Sequence, residues 1–296
     1  LIDADVLVYE SAFAAQHTTY HMHNPLGDRA SFDSAAECQG YCERVGIAYR
    51  ASRKAGVITT ELEYLPEAAC KNIFLSKLSS ILENTGAKQY TLLLSGEGNY
   101  REEVAVTKPY KGTRVADKPV HYEYCHSMIN SHKNTVQTVG VEADDALGIM
   151  QCEAIPDTTV ICSVDKDLNM IPGLHYDWGK GIKYQVSPID AFYWLCYQLL
   201  VGDSTDNIPG VPRMGDKKAT DVLSPFRKDA AALWGAVIEQ YSGAPFKTNW
   251  GDLTSGPVEY LTEQLQLLWI QRAPEQRMTP NLISKGIEDG SIAGSC

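Results

Sequence analysis

The 296-residue chain has no apolar run approaching the roughly 18–20 residues a membrane-spanning helix needs, which excludes a helical membrane protein. It has no internal repeat of fixed period and no low-complexity tract, which argues against a solenoid and against wholesale disorder. It is short of positive charge: 26 Lys and Arg stand against 37 Asp and Glu, a formal net charge of −11. Phosphate-binding proteins are usually basic, so this balance speaks at first sight against a nucleic-acid partner. The eight cysteines lack the close pairing of a disulfide scaffold, and no basic-then-apolar leader pattern opens the chain. Reduced thiols in a cytoplasm are therefore expected. Leu1 already lies inside an apolar run, so a few residues of the first strand are expected to precede it. What remains is ordinary globular composition, 44% hydrophobic and 21% charged, enough for one large domain or two smaller ones without staples.

Along the chain, residues 1–8 (LIDADVLV) read as a buried strand and 10–15 as a helical turn. Residues 16–60 are the least readable, a polar His-rich loop with one helix expected at 35–51. Residues 66–83 carry apolar side chains at helical spacing, and Gly86 is placed to end that helix. Short apolar runs at 90–94, 136–139, 158–164, 174–178 and 182–186 read as strands, with helices at 120–132 and 142–153 among them. Such alternation predicts an α/β domain with a largely parallel sheet. From Pro188 onward the pattern is helical, and the tail after Pro274 is loose.

Acidic residues cluster at four places: Asp3 with Asp5; Glu142, Asp144 and Asp145; Asp165 and Asp167; Asp203 and Asp206. Residues three apart share a helix face, and residues two apart share a side of an extended segment. In parallel α/β sheets ligands bind beyond the carboxyl ends of the strands. Carboxylates gathered there repel one another unless hard cations neutralise them. Mg²⁺ takes carboxylate, water and phosphate oxygens, and two such ions suit displacement at a phosphodiester. Each cluster alone is equally well a set of helix caps.

Residues 209–219 read PGVPRMGDKKA. Gly210 and Gly215 bracket a short turn, and Lys217 and Lys218 open the next helix, an arrangement suited to gripping a duplex backbone. Residues 101–118 add Arg101, Lys108, Lys111, Arg114 and Lys118 against three acids, with Tyr110 offering an aromatic face.

LIDAD, NYR…KPYKGTR, VEADDA, SVDKDL and GDSTDNIPGVPRMGDKKA stand in the order found in the 5′-nucleases, the family of phage 5′-exonucleases, flap endonucleases and the 5′-nuclease domains of bacterial DNA polymerases. The chain resembles that family over residues 1–9 and about 88–223. The resemblance implies a PIN-like (Rossmann-like) α/β fold, with a mostly parallel central sheet flanked by helices and a helical C-terminal region. It implies a catalytic domain over 1–187, with 16–60 as an insertion and 97–135 as a helical gateway. The helical region would then occupy 188–296, with a helix-hairpin-helix at 207–223. It implies an enzyme that hydrolyses DNA at 5′ ends or 5′ flaps, with RNA primers as a further substrate, in the cytoplasm (that of a bacterial host for a phage protein).

The resemblance further implies two Mg²⁺ ions, or Mn²⁺ in their place, on Asp3, Glu142, Asp144, Asp145, Asp165, Asp167, Asp203 and Asp206. Lys111 and Arg114 would act on the scissile phosphate and Tyr110 would stack on the displaced nucleotide. Arg101, Lys108, Gly210, Gly215, Lys217 and Lys218 would hold DNA, with K⁺ at carbonyls near Val211 and Met214. The family usually carries an Asp after the strand that precedes the gateway. Here Gly96 stands at that place, and Glu97 is the expected substitute.

Three rival readings exist, one of them a PIN-type ribonuclease, which shares the acidic α/β site but normally lacks the helix-hairpin-helix. LIDADVLV, LLLSG and VGDSTDN imitate a haloacid-dehalogenase-type phosphatase, which requires the acidic loop to follow a buried strand. A structure-specific DNA-binding module without catalysis would explain the missing Asp. A zinc site on His17, His21, His23, Cys38 and Cys42 is a minor reading, and the tryptophans read as packing residues. The acidic total itself loses force as an objection, because many of the acids fall in one expected metal pocket. Residues 101–118 and 207–228 are locally basic.

Overall fold

The computed structural model describes residues 1–23, 29–113, 118–242 and 256–292, together with the backbone of 247–248 and 251–252. In chain order the elements begin with β1 (Ile2–Asp3), α1 (Ala4–Phe13), β2 (Gln16–His23), β3 (Arg29–Phe32), α2 (Ala35–Arg44) and α3 (Tyr49–Lys54). Next come β4 (Ile58–Tyr64), α4 (Glu67–Thr85), β5 (Leu92–Leu94), α5 (Tyr100–Val104), α6 (Tyr122–Asn130), β6 (Thr135–Gln137), α7 (Ala143–Glu153) and β7 (Val160–Cys162). A 3-10 turn at Lys166–Met170 leads to β8 (Gly173–Asp177), β9 (Ile182–Val186), α8 (Pro188–Val201) and α9 (Asp216–Leu223). The chain ends with α10 (Ala230–Ser242), the short β10 (Lys247–Thr248) and β11 (Gly251–Asp252), α11 (Pro257–Leu268) and α12 (Pro280–Glu288).

The chain divides into two compact units. The first holds Leu1–Val6, Ile81–Ala116 and His132–Cys296; the second holds Leu7–Ser80 and Asp117–Ser131. In the first, a six-stranded sheet runs in the order β6-β5-β1-β7-β8-β9, parallel throughout except for β9 against β8. This is the expected fold: a mostly parallel central sheet with flanking helices. Its strands are short and apolar, and Ile2 and Leu92–Leu94 are fully buried. One hydrophobic core joins Leu93 and Ile161 of the sheet to Leu199, Trp234, Tyr260 and Leu265 of the C-terminal helices.

The opening run differs from expectation. The strand ends at Asp3 and a helix begins at Ala4. Ala4, Leu7, Val8, Ser11, Ala12 and Ala15 are all buried, which is helical spacing. The second unit contains an antiparallel sheet, β3-β2-β4, where a loop was expected. Along β4 only Ile58 is buried, so an apolar stripe hardly marks the strand. The helix expected at 35–51 breaks into α2 and α3 around Gly46, which lies at φ +71°. The tail carries one further helix, α12, N-capped by Thr279 with Pro280 in its first turn.

Period two sets Tyr20 and Met22 on one face of β2 and His17, His21 and His23 on the other. Met22 packs on Cys38 and Cys42 of α2, while His21 bonds Ser31 and Glu61. The zinc reading therefore fails, and among the described residues no such group could hold a metal. Cys38, Cys42, Cys70, Cys125, Cys162 and Cys196 are free and buried; Cys152, against the expectation of reduced thiols, is disulfide-bonded. Trp234 and Trp269 are core residues as expected, whereas Trp250 lies outside the described residues. No described helix is long and apolar enough to cross a membrane.

Candidate active site

The carboxyl ends of the central strands deliver the acids. Asp3 closes β1 and is 2% exposed. It accepts from the Val6 N–H at 3.2 Å and the Ser163 hydroxyl at 2.7 Å. Ser163, just past β7, also receives the Asp165 N–H at 2.9 Å. Asp165 caps the 3-10 turn by accepting the Asp167 N–H at 2.8 Å, and Asp167 accepts from the Gln198 amide at 2.6 Å. Burial, reinforced by Asp5 and Asp165, pushes the Asp3 carboxyl up to about 7. Burial, then Asp165 and Asp203, does the same to Asp167, also to about 7. Burial and four neighbouring carboxylates, Asp3 first, raise Asp144 well above the usual range.

Helix α7 splits its acidic start between two tasks. Glu142 is the N-cap residue and lines a small cavity with Tyr110, Asp144, Asp167, Asp203 and Asp206. Asp145, one turn on, is fully buried. Its oxygens accept both Arg101 guanidinium nitrogens at 2.7 and 2.9 Å, the Gln271 N–H at 3.0 Å and the Glu142 N–H at 3.2 Å. Arg101 also donates to the carbonyls of Leu267 and Trp269, at 2.9 and 2.7 Å. This pair corrects two expectations. Arg101 is 2% exposed, so it offers no cation to DNA, and Asp145 has its oxygens committed to four donors.

The loop after α5 reaches back to the cavity. The Tyr110 hydroxyl stands 2.8 Å from both Glu142 Oε2 and Asp206 Oδ2. The Lys111 ammonium pairs with Glu142 and lies 3.9 Å from Asp206. Burial opposes ionisation of Glu142, but Lys111 and Arg101 outweigh it and hold its carboxyl below the usual range. Burial, with Glu142 and Asp206 facing it, pushes the Tyr110 phenol upward. Arg114 lies outside the described residues.

Glu97 is exposed and is not among the cavity-lining residues. A Cβ at Gly96 would overlap the Thr138 carbonyl oxygen, so no side chain fits where the family's usual Asp was expected. Asp5, which the sequence grouped with Asp3 but did not add to the ligand set, comes into the cluster instead. It accepts the Ser95 N–H at 3.1 Å and the Ser95 hydroxyl, and burial raises its carboxyl. Ser95 in turn accepts the Ala143 N–H at 2.9 Å, tying Asp5 to the start of α7. Ser95, Ser163 and Gln198 were not legible as site residues, since a lone hydroxyl or amide after a strand carries no spacing signal.

Among the described residues no three acidic or His side chains converge closely enough to hold an ion as they stand. The donor set nevertheless fits a hard cation. It consists of carboxylate oxygens whose ionisation is opposed by burial and by one another, with Lys111 and Tyr110 set against two of them.

The hairpin after α8 is built on two glycines at positive φ. Gly202 (φ +77°) and Gly210 (φ +61°) pack backbone to backbone, and a Cβ on either would overlap the other's strand of chain. Val211 N–H donates to Leu200 O at 2.9 Å, and the Val211 carbonyl accepts from Met214 N–H at 3.1 Å. Gly215 is the N-cap of α9, with open space around it. Lys217 and Lys218 are exposed, Lys217 pairing with Asp221 at 3.1 Å, and Lys108 is half-buried. GDSTDN follows helix α8 rather than a strand, which removes the geometry a haloacid-dehalogenase-type phosphatase requires.

No family model matches the chain. DNA polymerase I of Pseudomonas aeruginosa is 30% identical over 195 residues, 60% of this chain and 21% of the polymerase. The exodeoxyribonuclease of Enterobacteria phage T3 is 30% identical over 135 residues, 43% of this chain and 44% of the phage protein. The chain thus spans less than half the length of these relatives. The T5 5′-exonuclease, solved with bound zinc ions, aligns with a TM-score of 0.50 at 18% identity over 74% of this chain and 90% of its own, which supports the fold. In sequence and in fold the chain is therefore similar to the phage-type 5′-nucleases.

Proposed function

We propose that the chain is a divalent-metal-dependent nuclease that hydrolyses DNA at 5′ ends or 5′ flaps. The observation that carries this is the cavity in which Glu142, Asp144, Asp167, Asp203 and Asp206 meet Tyr110, with Lys111 paired to two of these acids. Asp3, Asp5 and Asp165 stand beside it through the charge they exert on Asp144. Mg²⁺ or Mn²⁺ held by these acids would supply activation of water and polarisation of the scissile phosphate. The protein's own groups do the rest. Lys111 places an ammonium where negative charge develops on the phosphate, and Arg114 is its expected companion. Tyr110 presents an aromatic face to the terminal base. Backbone N–H groups at the start of α9, with Lys217 and Lys218, hold the duplex phosphates without reading bases.

The similarity to the polymerase and the phage exonuclease supports this reading. The test is cleavage of 5′-labelled duplexes with a 5′ flap, a nick, a blunt end or a 3′ flap, in Mg²⁺ or EDTA. The expected result is Mg²⁺-dependent cutting at the 5′ flap and 5′ end, with the 3′ flap spared. Tight binding of the 5′ flap without cutting would instead support a DNA-binding module.

A further inference from the structure

We infer that Glu263 is a positioning residue for the cleavage site, a role that rests on the nuclease reading above. Glu263 lies on α11 and is 9% exposed, yet it pairs with no cation among the described residues. Its carboxylate is spent on the loop that carries Tyr110 and Lys111. Oε1 accepts the Val106 N–H at 2.8 Å and the Thr107 N–H at 2.6 Å, and Oε2 accepts the Thr107 hydroxyl. A buried carboxylate that meets only neutral donors is costly unless all of them are in place, so the loop has one favoured seat. The far end of the loop is fixed as well. Asn207 donates to Pro109 O, and the Lys111 N–H donates to Asp206 O, both at 2.9 Å. At this far anchor Lys111 sits at φ +54°, a left-handed conformation uncommon for a residue with a side chain.

The same helix holds the hairpin. Gln264, the next residue, accepts the Gly210 N–H at 3.1 Å, and the Tyr260 hydroxyl donates to Gly210 O at 2.7 Å. Helix α11 is thus a common support for the loop that would face the scissile phosphate and the turn that would grip the duplex. Glu263 fixes the distance between them by fixing the loop.

The test compares wild type, Glu263→Gln and Glu263→Leu. Gln keeps an oxygen for both N–H donors and offers its NH₂ to Thr107 Oγ; Leu keeps neither. In hydrogen exchange, the Val106 and Thr107 amides should stay protected in wild type and Glu263→Gln, and exchange at least ~10-fold faster in Glu263→Leu. Equal exchange in all three refutes the anchor, whether or not the protein cuts DNA. On 5′-flap DNA, Glu263→Leu should lower single-turnover cleavage by roughly 10- to 100-fold and spread the cut over neighbouring phosphates. Glu263→Gln should restore both rate and position. In a Lys111→Ala background, Glu263→Leu should cost less than about 2-fold, because it acts through that loop. A full loss in that background, or a cut position that does not move, overturns the positioning role. Failure of wild type to cut at all indicts the nuclease reading and leaves the exchange result to judge the anchor.

Discussion

Asp144 and Asp145 are neighbours that the structure assigns opposite work, and Arg101 is the way to show it. Arg101→Met keeps the length and apolar stem of the side chain but deletes its charge. Asp145 would keep the Gln271 and Glu142 N–H donors and lose both guanidinium contacts, in a site with no exposure to water. The carbonyls of Leu267 and Trp269 would each lose a donor. Removing one partner of a buried pair costs about 3–5 kcal/mol, and the two orphaned carbonyls argue for the upper end. In a domain of this size each kcal/mol moves the melting temperature by about 2–4 °C, so a fall of about 10 °C or more is expected. The assay is thermal and urea unfolding of Arg101→Met, Asp145→Asn and the double variant Arg101→Met/Asp145→Asn, without divalent metal. The double variant should cost less than the sum of the two single changes, since it leaves no buried charge unpaired while the carbonyls of Leu267 and Trp269 still lack their donor, giving a coupling of at least about 2 kcal/mol. Melting within about 2 °C of wild type in Arg101→Met, or strict additivity, would refute this account and return Arg101 to the surface contacts.

Other consequences follow from the same geometry. Asp3→Asn should stabilise the metal-free protein at pH 8 and change little at pH 4. The Asp3 carboxyl titrates at about 7 in the fold against 3.8 ordinarily, so the folded state gains as pH falls through that window, by up to about 1.4 kcal/mol per pH unit. Chemical denaturation of both proteins from pH 4 to 8 measures the difference, and parallel profiles would contradict the burial of that charge. Asp5→Asn should reduce the rise in melting temperature on adding Mg²⁺ while leaving the metal-free protein at least as stable; an unchanged Mg²⁺ response would remove Asp5 from the site. Lys217→Ala with Lys218→Ala should weaken duplex binding equally across sequences and flatten the salt dependence by about one unit of slope per lysine, read by anisotropy titrations at several salt concentrations.

The parts of the fold that were legible in the sequence are those where apolar runs are short and bounded. The strands at Leu92–Leu94, Val160–Cys162 and Ile182–Val186 and the helix from Pro188 fall within or on the expected segments. Residues 4–8 misled because so short a stretch, apolar but for Asp5, shows no clear period, although the buried positions from Ala4 onward are helical. The sheet of the second unit was illegible because strands such as β4 are almost wholly exposed and look like a polar loop. Spacing could not say that Arg101 pairs with Asp145 while Lys111 pairs with Glu142, because Arg101 lies 44 residues away from Asp145 along the chain. Nor could it show that the backbone at Thr138 bars a side chain at Gly96 and leaves Asp5 as the nearby carboxylate.

The central claim is that the acid cavity, armed with divalent metal, cuts DNA at its 5′ end. The direct measurement is single-turnover cleavage of a 5′-labelled flap duplex in Mg²⁺ by wild type and by Asp165→Ala with Asp167→Ala, with melting curves to show that both are folded. Cutting by wild type, none in EDTA, and a loss of at least about 100-fold in the folded double variant is the predicted result. Equal cutting by the two proteins would contradict it.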